Sequence, residues 1–146
     1  MYEYGKDGAV ALVVGVDGSD TSLHALAFAI GAARRQQARL LVEYVCPYPG
    51  GGLDPTGILS SRIWDSADEL GDWLRTTAAQ ASRELHVPID VRVSYGDPCT
   101  RLLETADGER ADQIIVGASV GVAHRVIGAL GVRLQRRSPA PVTIVP

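Results

Sequence analysis

The stretch that most constrains the fold is the C-terminal part of the chain, Asp112–Pro146. It begins with a short run of β-branched residues, Ile114–Val116, which is typical of a strand buried on both faces. A loop with spaced glycines follows from Gly117 to Gly128. From Val126 the apolar residues recur with a helical period, and Val142–Val145 closes the chain as a last strand. The order strand, glycine loop, helix, strand predicts one half of a nucleotide-binding architecture.

The rest of the chain alternates strands with helices in the same way. Three further apolar runs predict strands at Ala9–Val16, Leu40–Val45 and Ile89–Tyr95. One helix is predicted to follow a cap at Ser19 or Asp20, and two others to begin at about Trp64 and at Pro98. This alternation predicts an α/β fold in which helices cover both faces of a five-stranded parallel sheet. The length predicts a single domain over residues 1–146.

A long connection follows the second predicted strand. The segment Cys46–Arg62 contains three prolines and the run Gly50–Gly52. Loops of this length inside a compact domain tend to be functional or disordered. Because the segment leaves the carboxyl end of a strand, we expect a mobile loop that lies over the mouth of the ligand crevice.

Composition excludes several classes of partner. A formal net charge of −3 provides no basic surface, so no nucleic-acid partner is expected. No apolar run approaches the roughly 20 residues that a membrane-spanning helix needs, so no membrane partner is expected. Cys46 and Cys99 stand alone, without metal-ligand spacing, so no metal site is predicted. A reduced, cytoplasmic protein is the simplest interpretation.

The sequence lacks the motifs that usually mark catalytic or cofactor-binding loops. It contains no Gly-x-x-x-x-Gly-Lys-Ser/Thr phosphate loop and no Gly-x-Gly-x-x-Gly after a strand. It contains no Gly-x-Ser-x-Gly turn of the kind that carries a hydrolase nucleophile. No acid and base come together at a recognisable spacing. The chain is therefore not expected to be an enzyme.

Several short motifs together resemble the universal stress protein family. They are Val13–Ser19, Ser22–Leu26, Gly96–Pro98, Ala111–Gly117 and Pro139–Val142. Their order and distances match those of the family over nearly the whole chain. The resemblance implies a Rossmann-like sheet of the adenine nucleotide alpha hydrolase-like type, with strand order 3-2-1-4-5. It also implies that the turn Asp17–Ser19 faces the loop Gly117–Gly128 across one crevice.

The glycine loop departs from the pattern of the family's nucleotide-binding members. Those members carry a glycine, two residues, a second glycine, nine residues, and then Gly-Ser or Gly-Thr. Here the second glycine is displaced by one residue, to Gly121, and one alignment places the third at Gly128 and the hydroxyl position at Ala129. A second alignment places them at Gly131 and Val132. Under either alignment the hydroxyl that would hold a phosphate is missing.

The resemblance implies a candidate nucleotide site at the crevice. Asp17 would lie near a ribose, although capping of the turn explains it equally well. Val45 would offer its backbone to an adenine. Arg125 would contact a phosphate in place of the lost hydroxyl, unless it is a solvated loop arginine. The candidate ligand is ATP, with or without Mg²⁺, and the candidate residues are Asp17, Gly18, Ser19, Val45, Gly117, Gly121, His124, Arg125, Gly128 and Ala129.

These features predict a non-catalytic universal stress protein domain that acts as a homodimeric regulator or sensor with a degenerate nucleotide-binding loop. The alternative is an ATP-binding switch with at most slow hydrolysis, and a third hypothesis is binding of another small anion or acyl group. The last strand predicts the dimer interface, because it is apolar, uncharged and at an edge of the implied sheet. Val142, Thr143, Ile144 and Val145 would pair antiparallel with the same strand of a second chain.

Overall fold

The computed structural model of the chain describes residues 10–46, 58–118 and 129–146. Strands and helices alternate along these residues, which confirms the predicted α/β class. None of these helices is both long and apolar enough to cross a membrane. In chain order the elements are β1 (Ala11–Val16), α1 (Asp20–Gln36), β2 (Arg39–Cys46), α2 (Ile58–Leu85), β3 (Ile89–Tyr95), α3 (Pro98–Gly108), β4 (Gln113–Gly117), α4 (Ala129–Arg137) and β5 (Val142–Val145).

The strands form one parallel sheet in the order β3-β2-β1-β4-β5. The central strand is β1, in which Leu12 lies opposite Leu40 of β2 on one side and Gln113 of β4 on the other. This confirms the order that the family resemblance implied. The direction of winding reverses between β1 and β4, and sheets of this kind bind ligands outside the carboxyl ends of the strands at that point.

Helices cover both faces of the sheet, as predicted. On one face Leu12 and Val14 belong to a buried cluster that α1 and α2 complete. On the other face Val13, Leu41 and Ile114 belong to a second cluster, which α3 and α4 complete. Successive strand residues point to opposite faces, so β1 is buried on both sides and reads as a continuous apolar run. Its carboxyl end therefore emerges between two helical layers.

Side-chain caps begin the two helices that follow β1 and β3. Ser19 has an extended backbone and precedes α1, where its hydroxyl accepts a hydrogen bond from the backbone N–H of Ser22. Asp97 precedes α3 and accepts a hydrogen bond from the N–H of Thr100 at 3.0 Å. Pro98 occupies the first turn of α3, where it displaces no intrahelical hydrogen bond. The caps therefore fix where both helices start.

The helix α2 begins earlier than the sequence predicted. It extends from Ile58 to Leu85, so residues 58–62, which were expected to belong to the loop, are helical. No proline or glycine interrupts the chain from Ile58 to Leu70, so the backbone continues the helix ahead of its first predicted residue, Trp64. The rest of the expected loop, residues 47–57, lies outside the described residues. Its mobility and its position over the crevice remain predictions.

The strand β5 lies at one edge of the sheet, as the resemblance implied. All four of its residues are half-buried, because only one side of the strand pairs with β4 inside the sheet. The edge position is the feature on which the dimer interface at Val142–Val145 depends. The dimer itself remains a prediction.

Candidate functional site

The chain turns sharply where β1 ends and α1 begins. Gly18 has a φ of +87°, a backbone conformation that favours glycine. The carboxylate of Asp17 accepts a hydrogen bond from the N–H of Ser19 at 2.9 Å, which closes the turn. The hydroxyl of Ser19 then accepts from the N–H of Ser22 at 3.3 Å. Asp17 and Ser19 therefore hold the turn in shape, which is the capping role that was the alternative to ligand contact.

The carboxyl group of Asp17 ionises more readily than that of a free aspartate. Partial burial raises its pKa, but hydrogen bonds with Ser19 and Ser22 lower the pKa by more. The net pKa of Asp17 lies below its ordinary value. Asp17 is therefore a carboxylate at neutral pH and offers only hydrogen-bond acceptors to a ligand.

On the opposite side of the crevice, the end of β4 comes very close to α1. A Cβ atom on Gly117 would lie 2.4 Å from the carbonyl carbon of Thr21 and 2.6 Å from the backbone nitrogen of Ser22. The hydroxyl of Thr21 also donates to the carbonyl oxygen of Ala118 at 2.6 Å. The packing of β4 against α1 therefore requires glycine at position 117, whatever binds nearby.

A crevice of about 290 Å³ opens between these two sides. Its volume is at the lower end of the roughly 300–1,000 Å³ that is usual for small-molecule sites. Strand ends, the β1–α1 turn and apolar residues of α3 and α4 form its walls. The lining residues are Gly15, Val16, Asp17, Ser19, Thr21, Ser22, Glu43, Val45, Pro98, Leu102, Val116, Gly117, Ala118 and Leu130.

The structure brings some of the sequence-predicted site residues together and separates others. Four of them, Asp17, Ser19, Val45 and Gly117, line the crevice. Gly18 forms the turn, but it is exposed to solvent and does not line the crevice. Ala129 is the exposed first residue of α4, while its neighbour Leu130 lines the crevice. The remaining candidates, Gly121, His124, Arg125 and Gly128, lie outside the described residues.

The sequence interpretation missed Glu43, a buried carboxylate that lines the crevice. The residue is only 2% exposed. The hydroxyl of Ser94 donates to one of its carboxylate oxygens, and the hydroxyl of Thr105 donates to the other at 3.0 Å. One signal could have found it, because Glu43 is the only charged residue within the apolar run Leu40–Val45. A charge inside a strand that is buried on both faces calls for a specific partner.

The described lining of the crevice is acidic. Asp17 and Glu43 contribute two carboxyl groups, and the lining residues include no lysine, arginine or histidine among those that the structure describes. The described residues also contain no group of three or more His, Cys, Asp or Glu side chains that could hold a metal ion. Electrostatic complementarity therefore favours hydrogen-bond donors and apolar groups of a ligand over phosphate oxygens in this part of the crevice.

An ion pair ties α4 to α3 beside the crevice. The guanidinium of Arg133 donates to both carboxylate oxygens of Asp97, at 2.7 and 2.8 Å. Hydrogen bonds from Arg133 and Thr100 hold the pKa of Asp97 well below its usual range. Pro98 of α3 and Leu130 of α4 both line the crevice. The ion pair therefore helps to fix the distance between two of its walls.

An open parallel sheet that is wound in both directions, with a crevice where the winding reverses, defines the Rossmann-like class of α/β proteins. Within this class the chain belongs to the universal stress protein family, whose sequence profile matches residues 11–146. The match includes every strand and helix described above. It confirms the family that the short motifs suggested.

Individual relatives agree with this assignment. A universal stress protein of Methanocaldococcus jannaschii is 28% identical over 141 residues, which cover 92% of this chain and 80% of the relative. The universal stress protein UspA from Lactobacillus plantarum has a TM-score of 0.80 at 25% identity, with 94% of this chain and 97% of that chain covered. A universal stress protein in complex with cAMP has a TM-score of 0.64 at 29% identity, with 94% and 96% covered.

Proposed function

We propose that this protein is a non-catalytic, homodimeric regulator or sensor of the stress response, and that its crevice binds a small purine nucleotide. The observation that carries the proposal is the crevice between β1 and β4, which Asp17 and Ser19 line on one side and Gly117 lines on the other. The cAMP complex of a universal stress protein 29% identical to this chain supports a nucleotide ligand. The buried, unpaired cysteines Cys46 and Cys99 support a cytoplasmic location.

Tight binding of ATP does not fit the residues. Ala129 in one alignment, and Val132 in the other, stands where the nucleotide-binding pattern of the family has a hydroxyl, and the described lining offers two carboxyl groups and no cation. The loss of one hydrogen bond to a charged phosphate costs roughly 1.5–3 kcal/mol, or about ten- to a hundredfold in affinity. The nucleotide loop is therefore degenerate for triphosphates.

The second candidate function is an ATP-binding switch with at most slow hydrolysis. It requires another group to replace the missing hydroxyl, and Arg125 is the candidate in the sequence because a guanidinium binds phosphate with several donors. The same residue could hold a different small anion or an acyl carboxylate. The variant Arg125→Ala, compared with Arg136→Ala on α4, separates a specific phosphate contact from a general loss of positive charge.

Calorimetric titration with AMP, cAMP and ATP plus Mg²⁺ tests the proposal. We expect the mononucleotides to bind, ATP to bind with a dissociation constant above the low micromolar range, and no phosphate release above background. A low-micromolar constant for ATP would favour the switch instead. If neither these three nucleotides nor GMP produced any heat at millimolar concentration, the nucleotide role would be wrong.

The homodimer is proposed from the difference between the two edges of the sheet. The edge strand β3 presents the exposed charged residues Asp90 and Arg92, which discourage pairing with another chain. The other edge strand, β5, carries no charged residue. A recess lined by Gln135, Ala140, Pro141, Val142 and Ile144 adjoins β5 and could accept side chains from a second copy. If two β5 strands pair antiparallel about a two-fold axis, the same patch of each copy lies in the interface.

Analytical ultracentrifugation of the wild type and of Ile144→Lys tests this interface. We expect a wild-type dimer at tens of micromolar and a monomeric variant, because the lysine places a charge in the apolar contact. Asp90→Lys, a charge change at the opposite edge, is the matched control and should leave the dimer intact. A wild-type monomer, or an Ile144→Lys protein that remains dimeric and folded, would contradict the interface.

A further inference from the structure

Glu43 is an acidic side chain that lines the crevice. No lysine, arginine or histidine forms an ion pair with it among the residues that the structure describes. Its neighbours in the wall are the apolar side chains of Val45 and Leu102. Burial of an acidic group without a cation is costly, so further hydrogen-bond donors from a ligand would stabilise this side chain.

The carboxylate retains capacity for two more hydrogen bonds. An ionised carboxylate offers about four acceptor positions on its two oxygens. The hydroxyls of Ser94 and Thr105 each occupy one position, on different oxygens. These two bonds also anchor the carboxylate to β3 and α3. On this count one further acceptor position remains on each oxygen of a side chain that lines the crevice.

We propose that Glu43 makes the crevice select a purine base with two adjacent hydrogen-bond donors, as in guanine, over adenine. This inference rests on the proposed nucleotide function and names the base. Guanine presents its ring N1–H and its exocyclic amino group side by side, which matches the two oxygens of a carboxylate. Adenine presents an amino group beside the N1 lone pair, and that lone pair repels a carboxylate because both are acceptors.

The three purine monophosphates form a graded test of this selection. GMP carries both donors, IMP carries the ring N–H without the amino group, and AMP replaces the ring N–H with an acceptor. In calorimetric titration of the wild type, GMP should bind most tightly, IMP less tightly and AMP most weakly. We expect the dissociation constants of GMP and AMP to differ at least tenfold, because one hydrogen bond to a charged group is worth about that factor or more.

The variant Glu43→Gln assigns the selection to this side chain. A glutamine amide presents one acceptor and one donor, which pair with the amino group and N1 of adenine. We therefore expect the preference to reverse, with AMP at or above the affinity of GMP. Glu104→Gln makes the same chemical change at an exposed position of α3 outside the crevice lining, and it should keep the wild-type order.

The outcomes separate this inference from the proposed function. Equal affinities for the three nucleotides in the wild type, or a Glu43→Gln protein that loses all three in parallel, would overturn base selection and leave nucleotide binding standing. If none of the three nucleotides bound, both would be wrong. Should Glu43→Gln fail to fold in a thermal denaturation control, the order of the three ligands with the wild type decides alone.

Discussion

The two sides of the crevice differ in what fixes their shape. The β1–α1 side is held by local hydrogen bonds from Asp17 and Ser19, between residues two or three positions apart. The β4 side is held by contact with a distant part of the chain. There Gly117 packs on the backbone of Thr21, and the Thr21 hydroxyl bonds to Ala118, 97 positions away. The shape of the β1–α1 side is therefore encoded by neighbouring residues, and the shape of the β4 side by the tertiary fold.

This difference changes the interpretation of Gly117, the glycine on the β4 side. In the sequence, Gly117 resembles the first glycine of a phosphate-binding loop. In the structure, its missing side chain is already required by the approach of β4 to α1. A glycine at this position is therefore no evidence for a phosphate. The support for a nucleotide comes from the crevice as a whole.

The largest effect on stability is expected for the variant Gly117→Ala. Its Cβ atom would meet backbone atoms of Thr21 that cannot rotate away, so β4 or α1 must shift. We expect the free energy of unfolding to fall by about 3 kcal/mol or more, at the upper end of overpacking effects. Chemical denaturation measures the change.

The matched control for this variant is Gly108→Ala at the end of α3. No atom lies within 4 Å of the position that its Cβ would take. Because alanine is a better helix former than glycine, this change should leave stability unaltered or raise it by up to about 1 kcal/mol. Similar losses for both variants would show that the contact between β4 and Thr21 is not what requires glycine.

Much of the fold could be predicted from the sequence because its signals are local. The buried strands β1, β2 and β4 appear as apolar runs, and Ser19 and Pro98 mark helix starts. The strand order could not be obtained from periodicity, which carries no information on which strands pair, and it came from the family resemblance. The early start of α2 at Ile58 was missed because helical backbone can extend beyond the residues that show the apolar period.

The candidate site was predictable only in part. The residues Asp17, Ser19, Val45 and Gly117, which line the crevice, could be named because the family resemblance implied them as site residues. Glu43 could not be placed, because its role depends on which face of β2 it points from and on hydroxyls supplied by β3 and α3. Residues that meet across elements require the tertiary structure.

The second largest effect on stability is expected for Gly18→Ala, which changes the β1–α1 side of the crevice. The φ of +87° is strained for any residue with a side chain, and the new Cβ would lie 3.1 Å from Cδ2 of Leu70, which can move. We expect a loss of about 1–2 kcal/mol in the free energy of unfolding. A loss as large as that of Gly117→Ala would contradict the view that the local side tolerates change better.

A smaller effect is expected for Thr21→Val, which removes the hydrogen bond that joins the two sides. Valine keeps the shape of threonine but cannot donate to the carbonyl oxygen of Ala118. We expect a loss of about 1 kcal/mol, measured by denaturant unfolding. Thr21→Ser, which keeps the hydroxyl, should lose less. If serine cost as much as valine, packing rather than the hydrogen bond would join the sides.

The smallest effect is a pH dependence at the ion pair that positions α4. The folded-state pKa of Asp97 is lowered by Arg133, so the pair contributes stability above the unfolded pKa of about 3.9 and loses it as the pH falls through the folded value. Both side chains are largely exposed, so solvent screens the interaction. We therefore expect the melting temperature of Arg133→Gln to lie slightly below that of the wild type at pH 7.

This difference should stay constant from pH 7 to about 4 and shrink below the unfolded pKa of about 3.9, since acid protonates Asp97 first in the unfolded state and then, at lower pH, in the folded state. Addition of 1 M salt at pH 7 should shrink it as well, because the Debye length falls to about 3 Å. Arg136→Gln removes a charge from an exposed position of the same helix and serves as the control. A difference that stayed constant across pH and salt would mean that Arg133 stabilises α4 through the packing of its aliphatic stem and not through its charge.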